Sequence, residues 1–425
     1  MKLESYWLAT APPFRQGAEG PSSGRADVVV VGAGFTGLSA ALALAQRGMS
    51  VVVFEAGRVV GEASGRNGGQ CNGGLAHDYA GLVQRFGLEQ ARAFHRAYCA
   101  AVDSVETLVR DERIDCDFRR GGRLKLAAKP GHYDKLARAY ELLSTKFDAD
   151  YRLIPPGEIR AEVDSVAFHG GLLHDASAQL HVGKFGVGLA EAAVRRGVRI
   201  YEHAPVTRLE RLPGGRHRVS SGRGTVEASQ VLMATGATGV GPFGWFRRSL
   251  APVGSFIVVT EPLEPELLAR LIPQRRSYVT SRYVGNYFRA TPDDRLLFGG
   301  RARFAMSSPR SDAKSGRVLC AALARVFPAL RDVRIDYCWG GLVDFTADRL
   351  PRAGEHDGVH YSMGYSGHGV QMSVHMGRCM AEVILGRPDA NPWARLDWPA
   401  IPGHLGKPWF LPLVGAYYRT LDLLY

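Results

Sequence analysis

Residues 27–57 read DVVVVGAGFTGLSAALALAQRGMSVVVFEAG, and this stretch decides the fold. Residues 28–31 are a β-branched run of the kind that is buried on both faces of a parallel sheet. A glycine turn follows, then an apolar helix ending at Arg47-Gly48, then a second β-branched strand, Val51 to Phe54. Strand, helix and strand in about 30 residues make a βαβ unit.

The turn supplies Gly32, Gly34 and Gly37 at GxGxxG spacing, with Phe35 and Thr36 opening the helix. The first glycine permits a tight turn, the second admits a pyrophosphate, and the third lets helix meet strand. The helix N-terminus then points its free N–H groups at the anion. Glu55 ends the second strand, followed by Ala56, where a carboxylate accepts from a ribose diol and repels a 2′-phosphate. That favours FAD or NAD over NADP. A bare GxGxxG is a weak signal, but strand, helix, second strand and terminal acid agree here. The later TGATGVG at 235–241 has different spacing, so one dinucleotide is expected. A second glycine-rich loop, GEASGRNGGQCNGG at 61–74, fits an extended FAD threaded through the protein.

With 425 residues the chain is long for a single core, so two domains are expected. Apolar residues make up 46% and charged residues 22%, with 53 basic against 41 acidic side chains, which excludes a disordered acidic chain. The net charge of +12 is scattered in ones and twos, so a nucleic-acid stripe is not expected. No two of the six cysteines have the spacing of a zinc or redox motif, and reduced, mostly buried thiols are expected, with no metal. No leader-like apolar stretch opens the sequence, which reads as cytoplasmic. The aromatic run at 408–418 is about half of what a membrane span needs.

Seven blocks carry a resemblance along nearly the whole chain: SYW at 5–7, ASGRNGGQ at 63–70, VLMATGA at 231–237, PVGSFIVVTEPL at 252–263, RLLFGGR at 295–301, WGGLVDFTADRLPRAG at 339–354 and GYSGHGV at 364–370. The chain resembles the FAD-dependent amine and amino-acid oxidases of the D-amino-acid oxidase superfamily, most closely the γ-glutamylputrescine oxidoreductase branch. The resemblance implies an α/β fold: a Rossmann-like FAD domain of the glutathione-reductase type assembled from separated segments, covered by a mixed-sheet substrate domain. We place the FAD domain at 1–95, 180–246 and 336–405, the substrate domain at 96–179 and 247–335, and a C-terminal tail at 406–425. Local patterns agree: 118–128 and 275–301 read as strands and hairpins, and 181–210 as helix then strand.

The resemblance also implies site residues. Ser64, Arg66, Asn67, Gly68 and Gly69 lie in the loop that passes the pyrophosphate and one end of the flavin. Val206 matches the position that meets the adenine. Ala234, Thr235 and Gly236 form the ATG block, and Gly340 belongs to the WGG block. Gly364, Ser366, Gly367, His368, Gly369 and Val370 place a helix N-terminus at the pyrimidine end of the flavin, where negative charge develops on reduction. For each, the plainer alternative is a loop or core role. The position at which some relatives link flavin through cysteine falls at Gly341, and the early loop offers no histidine, so non-covalent FAD is expected.

Positions where relatives grip an α-carboxylate with Arg or Lys hold Val343, Gly367 and Gln371 here. A free α-amino acid is therefore a poor substrate, and a primary or secondary amine on a longer chain fits better. The expected reaction is hydride transfer from the carbon beside the amine to flavin, then imine hydrolysis to an aldehyde, with dioxygen giving hydrogen peroxide. Tyr287, Arg289, Trp339, Asp344, Tyr365 and His368 are the candidates to line the pocket, as aromatic walls and groups that read a distal polar end. The lysine that sarcosine oxidases carry near dioxygen falls at Leu297, so a quinone acceptor stays open. Two alternatives remain: a membrane-associated dehydrogenase of D-amino or imino acids, touching the bilayer through the aromatic tail, and an RNA-modifying flavoprotein.

Overall fold

A computed structural model describes residues 1–75, 77–147, 150–237 and 244–424. Its first sheet is built around the strand Arg25–Val31, whose valines are almost wholly buried. Val51–Phe54 pairs with it in parallel on one side and Gly224–Met233 on the other. Arg199–Tyr201 extends the sheet beyond Val51–Phe54, and Val359–Met363 lies parallel to the end of Gly224–Met233. These five parallel strands form the Rossmann-like core expected from the sequence. The first half of Gly224–Met233 instead pairs antiparallel with His217–Ser221, which pairs in turn with Val206–Arg211.

The helix Phe35–Gln46 is apolar all round because it is sandwiched. It packs against the helices Val182–Arg195 and Gly369–Ile384. Its approach to the latter is very close: a Cβ on Gly377 would lie 2.4 Å from the Thr36 carbonyl oxygen. Only a residue without a side chain fits there. The long helix Leu88–Asp111 covers Gly369–Ile384 from outside.

The second sheet is mixed, in the order Ile335–Phe345, Ala251–Thr260, Leu296–Gly300, Asn286–Ala290, Ser277–Thr280, Arg123–Leu126, Gly171–His174, Tyr151–Ile154. Every pairing is antiparallel except Ser277–Thr280 with Arg123–Leu126. One face packs on the helix Pro309–Val326 through Phe256, Phe288, Phe298, Leu319 and Leu323. One boundary needs correcting. The segment 336–345, assigned from sequence to the FAD domain, pairs along its length with Ala251–Thr260 in this second sheet. The glycines of WGG hid a strand, since they carry no β-branched signal.

The N-terminal segment clamps the glycine loop: Ser5 Oγ donates to the Gly65 carbonyl at 2.7 Å and Trp7 Nε1 to the Asn67 carbonyl at 2.7 Å. The C-terminal helix Leu411–Leu424 lies on the second domain. There Asp422 accepts from the Tyr283 and Val284 amides at 2.8 Å, and Tyr418 stacks on Phe304. Tyr425, and 238–243 after the ATG block, lie outside the described residues.

Candidate active site

The nucleotide turn follows from the sequence in atomic detail. Gly32 adopts φ +106°, and a Cβ there would lie 2.7 Å from the Ala234 carbonyl oxygen. A Cβ on Gly37 would lie 2.0 Å from the Gly32 carbonyl oxygen, so this glycine seals helix to strand behind the turn. The helix opens with Gly34 at its N-cap, and the Phe35 amide donates to Ser64 Oγ at 3.0 Å. Glu55 accepts from the Ala33 amide at 2.7 Å and the Gly57 amide at 2.8 Å. Burial raises its pKa, and those two donors oppose the rise.

From this turn one cavity of about 1830 Å³ continues into the space between the two sheets. Gly32, Gly34, Phe35, Thr36, Glu55, Ala56, Ser64, Arg66, Asn67, Gly68, Val206, Ala234, Thr235 and Gly236 all line it. So do Tyr287, Asp344, Tyr365, Ser366, Gly367, His368, Gly369 and Val370. The volume and the glycine-lined wall fit an extended dinucleotide. Gly37, Gly69, Gly340 and Gly364 stand behind the lining. A Cβ on Gly340 would lie 2.6 Å from Asp312 Oδ1, and the Gly364 amide donates to Asp344 Oδ2 at 2.7 Å.

Two candidates for substrate contact do not reach the cavity. Arg289 is only 2% exposed, and its guanidinium donates to the carbonyls of Gly69 at 2.6 Å, Leu180 at 3.0 Å and Ala290 at 3.1 Å. It also lies 5.3 Å from the Trp7 ring centre. Burial lowers its pKa to about 9, and carbonyl dipoles in place of a carboxylate hold it. Trp339 is just as deeply buried and donates from Nε1 to the Arg66 carbonyl at 2.8 Å. Both pin the glycine loop to the second sheet. From sequence they could be ranked only by type; each shares a strand face with a cavity-lining residue, Tyr287 or Val343, but backbone of the glycine loop covers it.

The other candidates, Tyr287, Asp344, Tyr365 and His368, line the cavity. Tyr287 packs its ring across Gly68 and Gly299, where a Cβ would come within 2.7 Å and 2.4 Å of ring carbons. Its hydroxyl is 3.4 Å from Ser255 Oγ, and burial raises its pKa to about 12. The Tyr365 hydroxyl is engaged with Thr36 Oγ1 at 2.8 Å and Ser362 Oγ at 2.9 Å. Burial lifts the Asp344 carboxyl to about 6 although the Gly364 amide donates to it. His368 caps the helix Gly369–Ile384 and meets Tyr98 edge to face at 5.7 Å. Burial, and then nearby Arg123, His77, Arg349 and Lys125, depress its pKa to about 3, so its imidazole is neutral. Val343 and Gly367 line the cavity without charge, and Gln371 is buried with Nε2 on the Asn72 carbonyl at 2.5 Å.

The cavity also holds groups that sequence reasoning passed over, above all Arg123, Lys125, Arg301 and Arg349. The signal for the first two was present in RLKL, where charge alternates with leucine. Which face of that strand looks into a cavity was not readable. Cys338, the near neighbour of the flavin-linking position, is buried with Sγ toward the Asp312 carbonyl and does not line the cavity.

A family model described as FAD dependent oxidoreductase matches residues 27–383. γ-Glutamylputrescine oxidoreductase of Escherichia coli (strain K12) is 33% identical over 427 residues, covering 99% of this chain and 98% of that protein. Probable oxidoreductase OrdL of Haemophilus influenzae is 33% identical, covering 93% and 92%. Among solved structures, glycine oxidase from Geobacillus kaustophilus matches with TM-score 0.70 at 23% identity, covering 90% of this chain and 99% of that one. At that identity the likeness speaks to the fold alone. With the family match running from the first βαβ strand into the helix at the far end of the cavity, the chain belongs to the DAO family of FAD-dependent oxidoreductases.

Proposed function

We propose that this chain oxidatively deaminates an amine carried on a longer chain, γ-glutamylputrescine or a related polyamine derivative, to an imine that water hydrolyses to an aldehyde. Dioxygen, reduced to hydrogen peroxide, takes up the electrons. The residues that would hold FAD are those of the glycine turn, Glu55, Ala56, Val206, the 64–69 loop and the 364–370 block. FAD, when bound, supplies the two-electron acceptor. Gly341 offers no nucleophile, so acid precipitation should release the yellow chromophore; colour retained in the pellet would contradict non-covalent binding.

The observation that carries the reading is the charge of the chamber. Arg123, Lys125, Arg301 and Arg349 line it. Against these four cations, Asp348 pairs with Arg352 at 2.8 Å, Asp78 caps the helix Tyr79–Phe86, and Asp344 is held by the Gly364 amide at 2.7 Å with its carboxyl raised by burial to about 6. Surrounding cations disfavour an ammonium ion and so favour the free amine that hydride loss requires. They penalise a diamine dication and tolerate a conjugate that brings its own carboxylate. The neutral His368 offers hydrogen bonding without adding charge, and Tyr287 offers an aromatic wall. The uncharged Val343, Gly367 and Gln371 support a substrate other than a free α-amino acid. The identity to the E. coli relative supports the same class.

The test is anaerobic titration of the bound flavin with γ-glutamylputrescine, putrescine, spermidine, sarcosine and a D-amino-acid mixture, followed by air. Bleaching by γ-glutamylputrescine at the lowest concentration, with recolouring and peroxide, is expected. If no polyamine derivative bleaches the flavin, the reading fails.

A second reading rests on the tail. Trp409 (67%), Leu413 (66%), Tyr417 (61%) and Leu424 (71%) are exposed, and Leu413 and Tyr417 share one helix face. This face suits peripheral contact with a bilayer and a quinone acceptor, as in a dehydrogenase of D-amino or imino acids. No helix among the described residues is long and apolar enough to cross a membrane. Recolouring by a quinone and not by air would favour this reading.

A further inference from the structure

Arg123 and Lys125 stand two apart on the strand Arg123–Leu126, so both point to the same face, while Leu124 and Leu126 pack into the core of the second domain. That face looks into the cavity, and both side chains line it. Arg123 is only 9% exposed, and its Nε is buried with no hydrogen-bond partner. Its cross-strand neighbours are His174 on one side and Ser277 on the other, and the Ser277 hydroxyl also lacks a partner.

Among the described residues no carboxylate meets Arg123 Nε, and Asp78 acts only weakly on Lys125. Behind Arg123 stand Tyr79, His95, Tyr151 and His174, joined by a 2.8 Å hydrogen bond between Tyr79 and His95 and by stacking of Tyr151 on His174 at 4.2 Å. All four feel its charge. Burial pulls the two imidazoles to about 4 and about 3, with Arg123 adding to the effect, so both are neutral. Lys125 reaches into the open cavity, where the enclosing walls, then Arg123 and Arg349, lower its ammonium to about 8 against a weak opposing pull from Asp78, so it is largely charged at neutral pH. Arg289, in the same sheet, shows what a structural buried guanidinium needs: three carbonyl acceptors and an aromatic face. Among the described residues Arg123 has no such acceptor on its buried Nε. A bare buried guanidinium is costly unless something fills its fork, and the group that matches that fork is a carboxylate.

We propose that Arg123, with Lys125 beside it, anchors a carboxylate of the substrate at the end of the chamber remote from the nucleotide turn. The site takes an amine whose chain carries an acid group, such as the γ-glutamyl end of an acylated diamine. This specificity for a carboxylated amine rests on the amine-oxidation reading above, whereas the anion site stands on the geometry of Arg123 alone.

The experiment compares γ-glutamylputrescine with N-butyrylputrescine, which presents the same amine and amide but no acid, in wild type and Arg123→Met. Glutarate is titrated against the flavin absorbance of both proteins, with flavin content and Tm recorded. Arg123→Met should raise KM for γ-glutamylputrescine by about 10- to 100-fold, the range for hydrogen bonds to a charged group. The change for N-butyrylputrescine should be several-fold smaller than that for γ-glutamylputrescine, and glutarate should weaken about as much as γ-glutamylputrescine. Equal KM in both proteins, or undiminished glutarate affinity, overturns the proposal. If neither amine reduces the wild-type flavin, the amine reading fails by itself, and the glutarate titration still decides the anion site. If Arg123→Met loses its flavin, Arg123→Lys and Lys125→Met replace it. Each should weaken glutarate several-fold, and unchanged affinity in both overturns the proposal.

Discussion

The nucleotide cradle and the substrate chamber share one cavity but are built on opposite principles. The cradle is local: Gly32, Gly34, Gly37 and Glu55 come from one βαβ unit, and the groups that face the ligand are mainly backbone. The chamber is non-local: His368, Tyr287 and Arg123 arrive from a helix cap and two strands far apart in the chain. A backbone site demands small residues at set spacing, which leaves a mark in the sequence. A side-chain site demands only that strands meet in the right register, which leaves little.

The contrast can be broken most forcefully in the cradle. Gly37→Val puts a branched side chain where a Cβ is already 2.0 Å from a carbonyl oxygen. Overpacking of backbone against backbone should exceed the usual 1–3 kcal/mol, roughly 4 kcal/mol or more. The purified protein should lack the flavin absorbance near the visible maximum; a yellow, fully loaded variant would show that the turn is less tightly built.

Arg289→Met tests the seam between the regions. It strips the guanidinium from the carbonyls of Gly69, Leu180 and Ala290, of which Gly69 keeps the Leu180 amide at 3.1 Å, at about 1–3 kcal/mol for each group left unsatisfied. A Tm lowered by several degrees, with kcat/KM of the flavin-loaded fraction unchanged, is expected. A selective KM effect instead would return Arg289 to the substrate side.

The histidines sharpen the comparison through pH. His95 and His181 are buried and neutral, with pKa lowered to about 4, by burial first in each case. Since these values lie below the unfolded 6.5, the unfolded chain binds protons first as pH falls. Stability should therefore be level above pH 6.5 and decline from there towards pH 4. Each buried ring should cost about 1.4 kcal/mol for every pH unit crossed within that window. A thermal melt series that stays flat over this window would contradict the burial of these rings.

The smallest effect belongs to Tyr287→Phe. The hydroxyl makes one long contact, 3.4 Å to Ser255, while the ring fills the space across Gly68 and Gly299. Stability and kcat/KM should change by less than about 0.5 kcal/mol. A large loss in kcat/KM would assign the hydroxyl a part in the reaction.

Particular residues mark how far the sequence could be read. The strands and helix of 27–57 were legible because glycine spacing and β-branched runs are themselves the physical requirement. The hairpins of 275–301 were legible from their alternation. The strand Ile335–Phe345 was not, since its glycines dilute any strand signal and only pairing with Ala251–Thr260 makes it one. Arg289 and Arg123 were indistinguishable as arginines in strands. Partners decide between them: one meets three carbonyls and an indole, the other meets open cavity.

The sequence by itself determined the dinucleotide turn, the acid that closes it and the α/β class, because these depend on residue types at short range. The tertiary structure alone decided which cations face the cavity and which are sealed by backbone oxygens. A side chain's energy depends on what lies opposite, and in this chain what lies opposite comes from the other sheet or from an element a hundred or more residues away.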